Sequence, residues 1–283
     1  MLEKISVKYR NTYESLRKKE GVFNGDYCFG NAFAWGGTFN TCVHCTDELY
    51  ISCAEISGNR LMISYPLGDG NKRELVEKIV ACGKERGKTT VMGMLNETLK
   101  KRTQELFPGE VRFERLRDSD DYIYKVEDLI NLSGKALHTK KNMLNSFLKN
   151  DYVYEKISAE NFEAFKSFCL ENSFTETETA VMNRFFDNFY ELELSGACLK
   201  IGGKIVAATV GERSGDTVII HIEKADKDVR GAYAAINNLF LKNEMSDCEY
   251  VNREDDMGHE NLRTAKLSYK PCRMEEKYIG IFI

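Results

Sequence analysis

The segment ACLKIGGKIVAATVGERSGDTVIIHIEKADKDVRGAYAAINNLF, residues 197–240, decides the fold. Ala197 to Ile201 is a short apolar run, Gly202-Gly203 is a two-residue hairpin turn, and Lys204 to Val210 carries the chain back as a second strand. Ser214-Gly215-Asp216 turns it again, into the β-branched run Thr217 to Glu223. That makes a three-stranded meander. Gly231 to Glu244 then takes up helical spacing, with Ala235 and Leu239 four apart beside Ile236 and Phe240. Further on, Tyr250 to Asn252 reads as a brief strand, Glu260 to Leu267 as a short helix and Tyr278 to Ile283 as a closing strand. The order is β-β-β-α-β-α-β.

Most of this order recurs upstream. Leu49 to Ile56 and Arg60 to Tyr65 are strands around Gly58-Asn59. Asn71 to Arg86 is a helix with a capping-box start (Asn71, Glu74), a Glu74/Lys78 pair, an apolar stripe of Leu75, Ile79 and Cys82, and a stop at Gly87. Thr89 to Met92 is a strand, Asn96 to Phe107 a helix ended by Pro108-Gly109, and Asp121 to Val126 a strand. The pattern β-β-α-β-α-β therefore occurs twice, as element order and without a residue-level repeat. Between the halves lie a basic helix in Leu132 to Asn150, a helix from Ser158 to Leu170 with Ser158 as its cap, and a helix from Thr177 to Leu192 carrying Val181, Phe185 and Phe189. The expectation is a mixed α/β fold of two domains, 1–130 and 131–283, the second being catalytic.

A chain of 283 residues, 42% hydrophobic and 30% charged, is long enough for two cores. No apolar run approaches the ~18 residues of a membrane span, and the first twenty residues do not resemble a signal peptide. A soluble, cytoplasmic protein without stable membrane insertion is expected. The net charge of −4 disfavours sequence-blind nucleic-acid binding, which needs a broadly basic surface. Nine cysteines, an odd number and scattered, read as reduced thiols. Cys42-Val43-His44-Cys45 has the spacing of half a zinc site, but no second pair follows, so no metal is expected.

Four features could carry chemistry. The turn Asp228-Val229-Arg230-Gly231-Ala232-Tyr233 follows a strand and opens a helix, where backbone N–H groups favour an anion; a tight turn needing one glycine is the alternative. Asn252 to Pro271 starts at a strand end and mixes charges, with Asn261, Arg263 and Lys266 close together on a helix; a solvated loop is the alternative. His221 suits a buried, hydrogen-bonded role, while Glu223 ends the strand just before the glycine turn. His138, Lys140 and Lys141 begin an amphipathic helix with Leu137, Leu144, Phe147 and Leu148 facing inward, and a basic helix start suits phosphate or carboxylate; a solvated lysine face is the alternative.

The segments SGKALHTKKNMLNSF, HIEKADKDVRGAYAAINNLF, VNREDDMGHENLRTAKLSYKP, CFGNAFAWGGTFNT and YPLGDGN resemble a bacterial family grouped with the C-terminal catalytic region of phosphatidylglycerol lysyltransferase. The resemblance runs from about Asp26 to Tyr278. It implies tandem GNAT-like acyltransferase folds, shared with the Fem aminoacyltransferases. The lysyltransferase pattern Leu-Arg-x-x-Lys, then an aromatic residue and a proline, matches Leu262-Arg263, Lys266, Tyr269 and Pro271. The acetyl-CoA loop of ordinary GNAT enzymes is matched poorly, with Asp228 at its first position and Tyr233 at its last. The enzyme's membrane-spanning portion has no counterpart in this sequence.

The resemblance implies an acyl- or aminoacyltransferase that takes an activated carboxyl group from an aminoacyl-tRNA or acyl-CoA donor, with no other cofactor. Acceptors of the class are small-molecule, lipid or peptide amines or hydroxyls. A CoA-dependent N-acetyltransferase and a noncatalytic binding protein are the alternatives. No serine or cysteine sits in a nucleophile motif, so direct attack is expected. The oxyanion would meet backbone N–H groups around His221 to Lys224, where strands of such sheets splay. Glu223 or Asp255 would take the proton, Lys266 and Arg263 would bind negative charge, and Tyr269 would hydrogen-bond nearby. Lys140, Lys141, Arg230 and Gly231 would hold a phosphate.

Overall fold

Two mixed sheets organise the chain, and each is completed by a strand from outside the half in which sequence order places it. The computed structural model describes residues 2–283. Its first unit runs to Asp120 and includes Glu275–Ile283; the second is Asp121–Met274.

The first unit contains β1 (Glu3–Lys4), α1 (Arg10–Glu20), α2 (Phe29–Thr38), β2 (Cys42–Cys45), β3 (Leu49–Ile56), β4 (Arg60–Ile63), β5 (Leu67–Gly68), α3 (Lys72–Glu85), β6 (Thr89–Leu95), α4 (Glu97–Leu106) and β7 (Val111–Arg115), with β15 (Tyr278–Phe282) returning to it. The sheet order is β1-β2-β3-β4-β6-β15-β7, and β5 pairs with β3. Gly58 and Asn59 both adopt positive φ, 74° and 54°, as a two-residue hairpin of this twist requires. Asn71 caps α3 by accepting the Glu74 N–H at 3.1 Å.

The second unit contains β8 (Asp121–Lys125), α5 (Val126–Asn131), α6 (His138–Phe147), β9 (Tyr152–Lys156), α7 (Phe162–Glu171), α8 (Glu176–Asp187), β10 (Ser195–Ile201), β11 (Lys204–Ser214), β12 (Thr217–Ala225), α9 (Ala232–Glu244), β13 (Tyr250–Asn252), α10 (Glu260–Leu267) and β14 (Arg273–Glu275), whose last residue is counted with the first unit. The sheet order is β14-β8-β13-β12-β11-β10-β9. The meander β10-β11-β12 is antiparallel, and α9 crosses over to make β12 and β13 parallel. Ala235, Ile236 and Phe240 of α9 are buried in one apolar core with Tyr124, Phe147 and Val251.

Several expectations are corrected here. The units divide at 120/121 and 274/275 rather than at 130/131. Asp121 to Val126 does not close the first sheet, because β8 pairs with β13; Tyr278 to Ile283 does not close the second, because β15 sits between β6 and β7. Alternation marks a strand but not its partner. On α3 the buried residues are Val76 and Gly83, while Cys82 is exposed. Gly83 draws the helix against the sheet, since a Cβ there would stand 2.7 Å from Thr90 Oγ1. The helix expected from Ser158 begins at Phe162, with the Asn161 side chain accepting the Ser158 N–H at 2.9 Å. Leu148 follows α6 and is exposed rather than inward. Cys42 and Cys45 lie three residues apart on β2, so their side chains leave opposite faces of the strand.

Candidate functional site at the β12–β13 divergence

Two parallel strands part company at the centre of the second unit. β12 and β13 pair over Thr217↔Tyr250, Val218↔Val251 and Ile219↔Asn252 only, yet β12 continues to Ala225. Against β11 the register passes from Val210↔Ile222 to Gly211↔Ile220, which leaves His221 as the bulged residue. A bulge at this place increases the local twist and re-aims side chains. Gly211 allows the close packing, because a Cβ there would lie 3.1–3.2 Å from Val218, Ile219 and Phe240.

His221 is fully enclosed, its Nδ1 2.8 Å from Glu254 Oε1 and its Nε2 3.0 Å from Glu212 Oε2. Its ring stacks on Phe185 with centroids 4.7 Å apart. Burial works against the charged ring, but the hydrogen bonds it donates to Glu212 and Glu254 overcome this and push the pKa up to about 9. The imidazolium therefore ties β12 to the loop that leaves β13.

That loop, residues 253–258, is fixed from several sides. Asn252 donates to Asp121 Oδ2 at 2.7 Å and accepts the Glu254 N–H at 2.7 Å. Glu254 takes a left-handed φ of 55°, a conformation costly for a side chain with a Cβ. Lys266, buried in α10, donates to the carbonyls of Arg253 at 2.6 Å, Glu254 at 3.2 Å and Asp255. Asp256 is fully buried; it accepts Tyr122 Oη at 2.5 Å, the Gly258 N–H at 2.9 Å and a two-pronged contact from Arg263 at 2.9 Å. Burial would raise its pKa, but the Arg263 and Tyr122 hydrogen bonds hold it well below the usual carboxylate range. Arg263 and Lys266 thus organise the loop, the one by neutralising Asp256 and the other by collecting three carbonyls.

Asp255, between Glu254 and Asp256 in sequence, is different. Burial, with the Glu254 charge adding to it, pushes its carboxyl up to about 6, into the range of a proton acceptor working near neutrality. Glu223, at the end of β12, is held more tightly. Its Oε1 accepts Arg253 Nη2 at 2.6 Å, and its Oε2 accepts Asn237 Nδ2 at 3.1 Å.

Arg253 and Asn237 are site residues that the sequence reading passed over. The usable clue was the β-α-β connection itself, because a parallel crossover sets the ends of β12 and β13 side by side. Arg253 lies 4.7 Å from the Tyr269 ring centroid and 5.9 Å from that of Tyr124. Tyr269 is buried and packs edge-on to Tyr124, centroids 6.4 Å apart, while Tyr124 Oη donates to the Lys266 carbonyl at 2.8 Å. On the same Tyr269 ring sits Lys140 Nζ, 4.2 Å from the centroid. Burial first, and the Arg253 charge second, lower the Lys140 pKa.

The structure therefore gathers Glu223, Tyr269 and Lys140 but separates Lys141. Neighbouring helix positions are about 100° apart, and Lys141 instead donates to the Asn131 carbonyl at 3.2 Å, beside a basin of about 470 Å³ that it lines with Lys135 and His138. Arg230 is exposed on its loop. Gly231, at φ 85°, serves packing: a Cβ there would stand 2.1 Å from the Met143 carbonyl oxygen.

The architecture is that of tandem GNAT-like and Fem-type transferases. FemX superposes with a TM-score of 0.63 at 9% identity, over 100% of this chain and 97% of its own. The chain belongs to the family described as phosphatidylglycerol lysyltransferase, C-terminal, whose model matches residues 20–281. L-PGS from Bacillus licheniformis aligns with a TM-score of 0.63 at 15% identity, over 95% of this chain and 90% of that one. A conserved protein of Bacteroides thetaiotaomicron, of unknown function, aligns with a TM-score of 0.90 at 29% identity, over 100% and 99%. An uncharacterised protein of Mycoplasmoides gallisepticum is 27% identical over 174 residues, 57% of this chain, and the match spans 56% of that relative's length. Family and fold are those of acyl- and aminoacyltransferases. No helix among the described residues is long and apolar enough to cross a membrane.

Proposed function

We propose that the second unit transfers an activated carboxyl group from an aminoacyl-tRNA ester or an acyl thioester to an amine or hydroxyl acceptor by direct attack. The observation that carries the reading is the divergence of β12 from β13, with carboxylates Glu223 and Asp255 just past the last paired residues, in a chain of lysyltransferase family. The acceptor nitrogen or oxygen forms its bond to the donor carbonyl carbon and loses its proton to Asp255. The carbonyl oxygen becomes an oxyanion facing β12 backbone N–H groups between His221 and Lys224, and as the carbonyl re-forms the tRNA ribose oxygen or the thiol sulfur leaves with the proton that Asp255 returns.

Asp255 is the better proton acceptor of the two carboxylates, because both Glu223 oxygens are engaged by Arg253 and Asn237 and Asp255 titrates near 6. The test is a turnover screen of acyl-CoA and aminoacyl-tRNA donors, followed by a pH profile. With an active pair, kcat/KM should fall on the acid side of about pH 6, and Asp255→Asn should lower it by at least ~10²-fold and remove that limb. A variant with the wild-type profile takes Asp255 out of the reaction. Failure of every donor to turn over refutes the transferase assignment.

A further inference from the structure

Lys140 and Arg253 meet over the Tyr269 ring with a single carboxylate, Glu223, on Arg253. The Arg253 side chain is only 11% exposed. One arm of its guanidinium is satisfied by Glu223, but Nη1 is buried with no hydrogen-bond acceptor among the described residues. A buried guanidinium N–H without an acceptor forfeits its hydration with nothing in return, so its retention asks for a partner. Lys140 is half-buried and makes no ion pair or hydrogen bond among the described residues; it has only the Tyr269 ring beneath it. Two cations therefore face one carboxylate. Lys266 cannot be the missing element, since it is a third cation and is occupied by the 253–255 carbonyls. Asn237 does not relieve the imbalance, since it donates to the same Glu223.

We infer that Arg253 Nη1 and Lys140 Nζ form a binding site for a phosphate group of a substrate. In its substrate assignment this rests on the transferase reading. The carboxyl group of the donor is esterified and uncharged, so the anion a donor brings is a phosphate, and a phosphorylated acceptor brings the same group. As an anion site it stands without any turnover.

The test is titration calorimetry of the full chain with inorganic phosphate, adenosine monophosphate and glycerol phosphate, on the wild type, Lys140→Met and Lys141→Met. Saturable binding is expected, weakening as salt is added. Lys140→Met should lose about tenfold or more in affinity and Lys141→Met should match the wild type, because Lys141 donates to the Asn131 carbonyl instead. Arg253→Lys, which keeps the charge but loses the fork, should also bind more weakly. Tighter adenosine monophosphate identifies a nucleotide donor as the source, tighter glycerol phosphate a phosphorylated acceptor, and equal affinities the phosphate group alone. The inference is overturned if no probe binds at millimolar concentration, if Lys140→Met binds as the wild type does, or if Lys141→Met is weakened as much as Lys140→Met. Binding without turnover by any donor refutes the transferase reading and leaves the site standing; turnover without phosphate binding does the reverse.

Discussion

Replacing His221 by Gln removes the imidazolium that stands between Glu212 and Glu254 at the bulge of β12. The folded-state pKa of about 9, against 6.5 for an unconstrained imidazole, corresponds to a contribution on the order of 3 kcal/mol at ~1.4 kcal/mol per tenfold change in proton affinity. Because the folded value is raised, the unfolded chain binds fewer protons between the two values. The contribution is complete below about pH 6.5 and is lost as pH rises through about 9. Urea unfolding of wild type and His221→Gln at pH 6, 7.5 and 9 reads this directly. The wild type should lose stability steadily across that range, and the gap between the two proteins should be largest at pH 6 and shrink by most of those 3 kcal/mol on approaching and passing pH 9. A gap that is constant with pH, or a wild type that gains stability from pH 7 to 9 while the variant does not, would show that His221 is neutral in the folded protein.

Gly231→Ala should destabilise by roughly 2–4 kcal/mol, since the residue must hold a left-handed φ while its new Cβ meets the Met143 carbonyl oxygen at 2.1 Å; a midpoint within 0.2 M urea of the wild type, roughly the noise of such measurements, rules this packing role out. Lys266→Met should lower stability by roughly 2–4 kcal/mol, by leaving three loop carbonyls without their donor. Amide hydrogen exchange should show faster opening of residues 253–258 in that variant, and unchanged protection there would return Lys266 to a substrate-binding role.

The meander from Ala197 to Glu223 was legible because its information is local. Continuous apolar and β-branched runs and glycine turns at Gly202-Gly203 and Gly215 act within a few residues, as do the caps at Asn71 and Asn96. The candidate site was legible in part: Glu223, Asp255 and Tyr269 stand at strand and helix ends that local pattern already marks, and His221 was readable as a buried, hydrogen-bonded residue. Its carboxylate partners, Glu212 and Glu254, are 9 and 33 residues away and were not.

Strand ownership required the tertiary structure. Asp121–Lys125 and Tyr278–Phe282 each read as a strand, yet pairing is a choice among all exposed ladder edges, made by burial over distances of more than a hundred residues. The same holds for charge. Lys140 and Lys141 are adjacent and alike in sequence, and one helical step sends the first to Tyr269 and the second to the Asn131 carbonyl. Arg263 and Lys266 read as anion binders because a sequence displays their charge but not the carboxylate and carbonyls that fold against them. Local chemistry determined which residues could form strands, turns and caps; only the packed chain decided which cations were already satisfied and that Arg253 was not, because burial and partner distance are properties of three-dimensional neighbours.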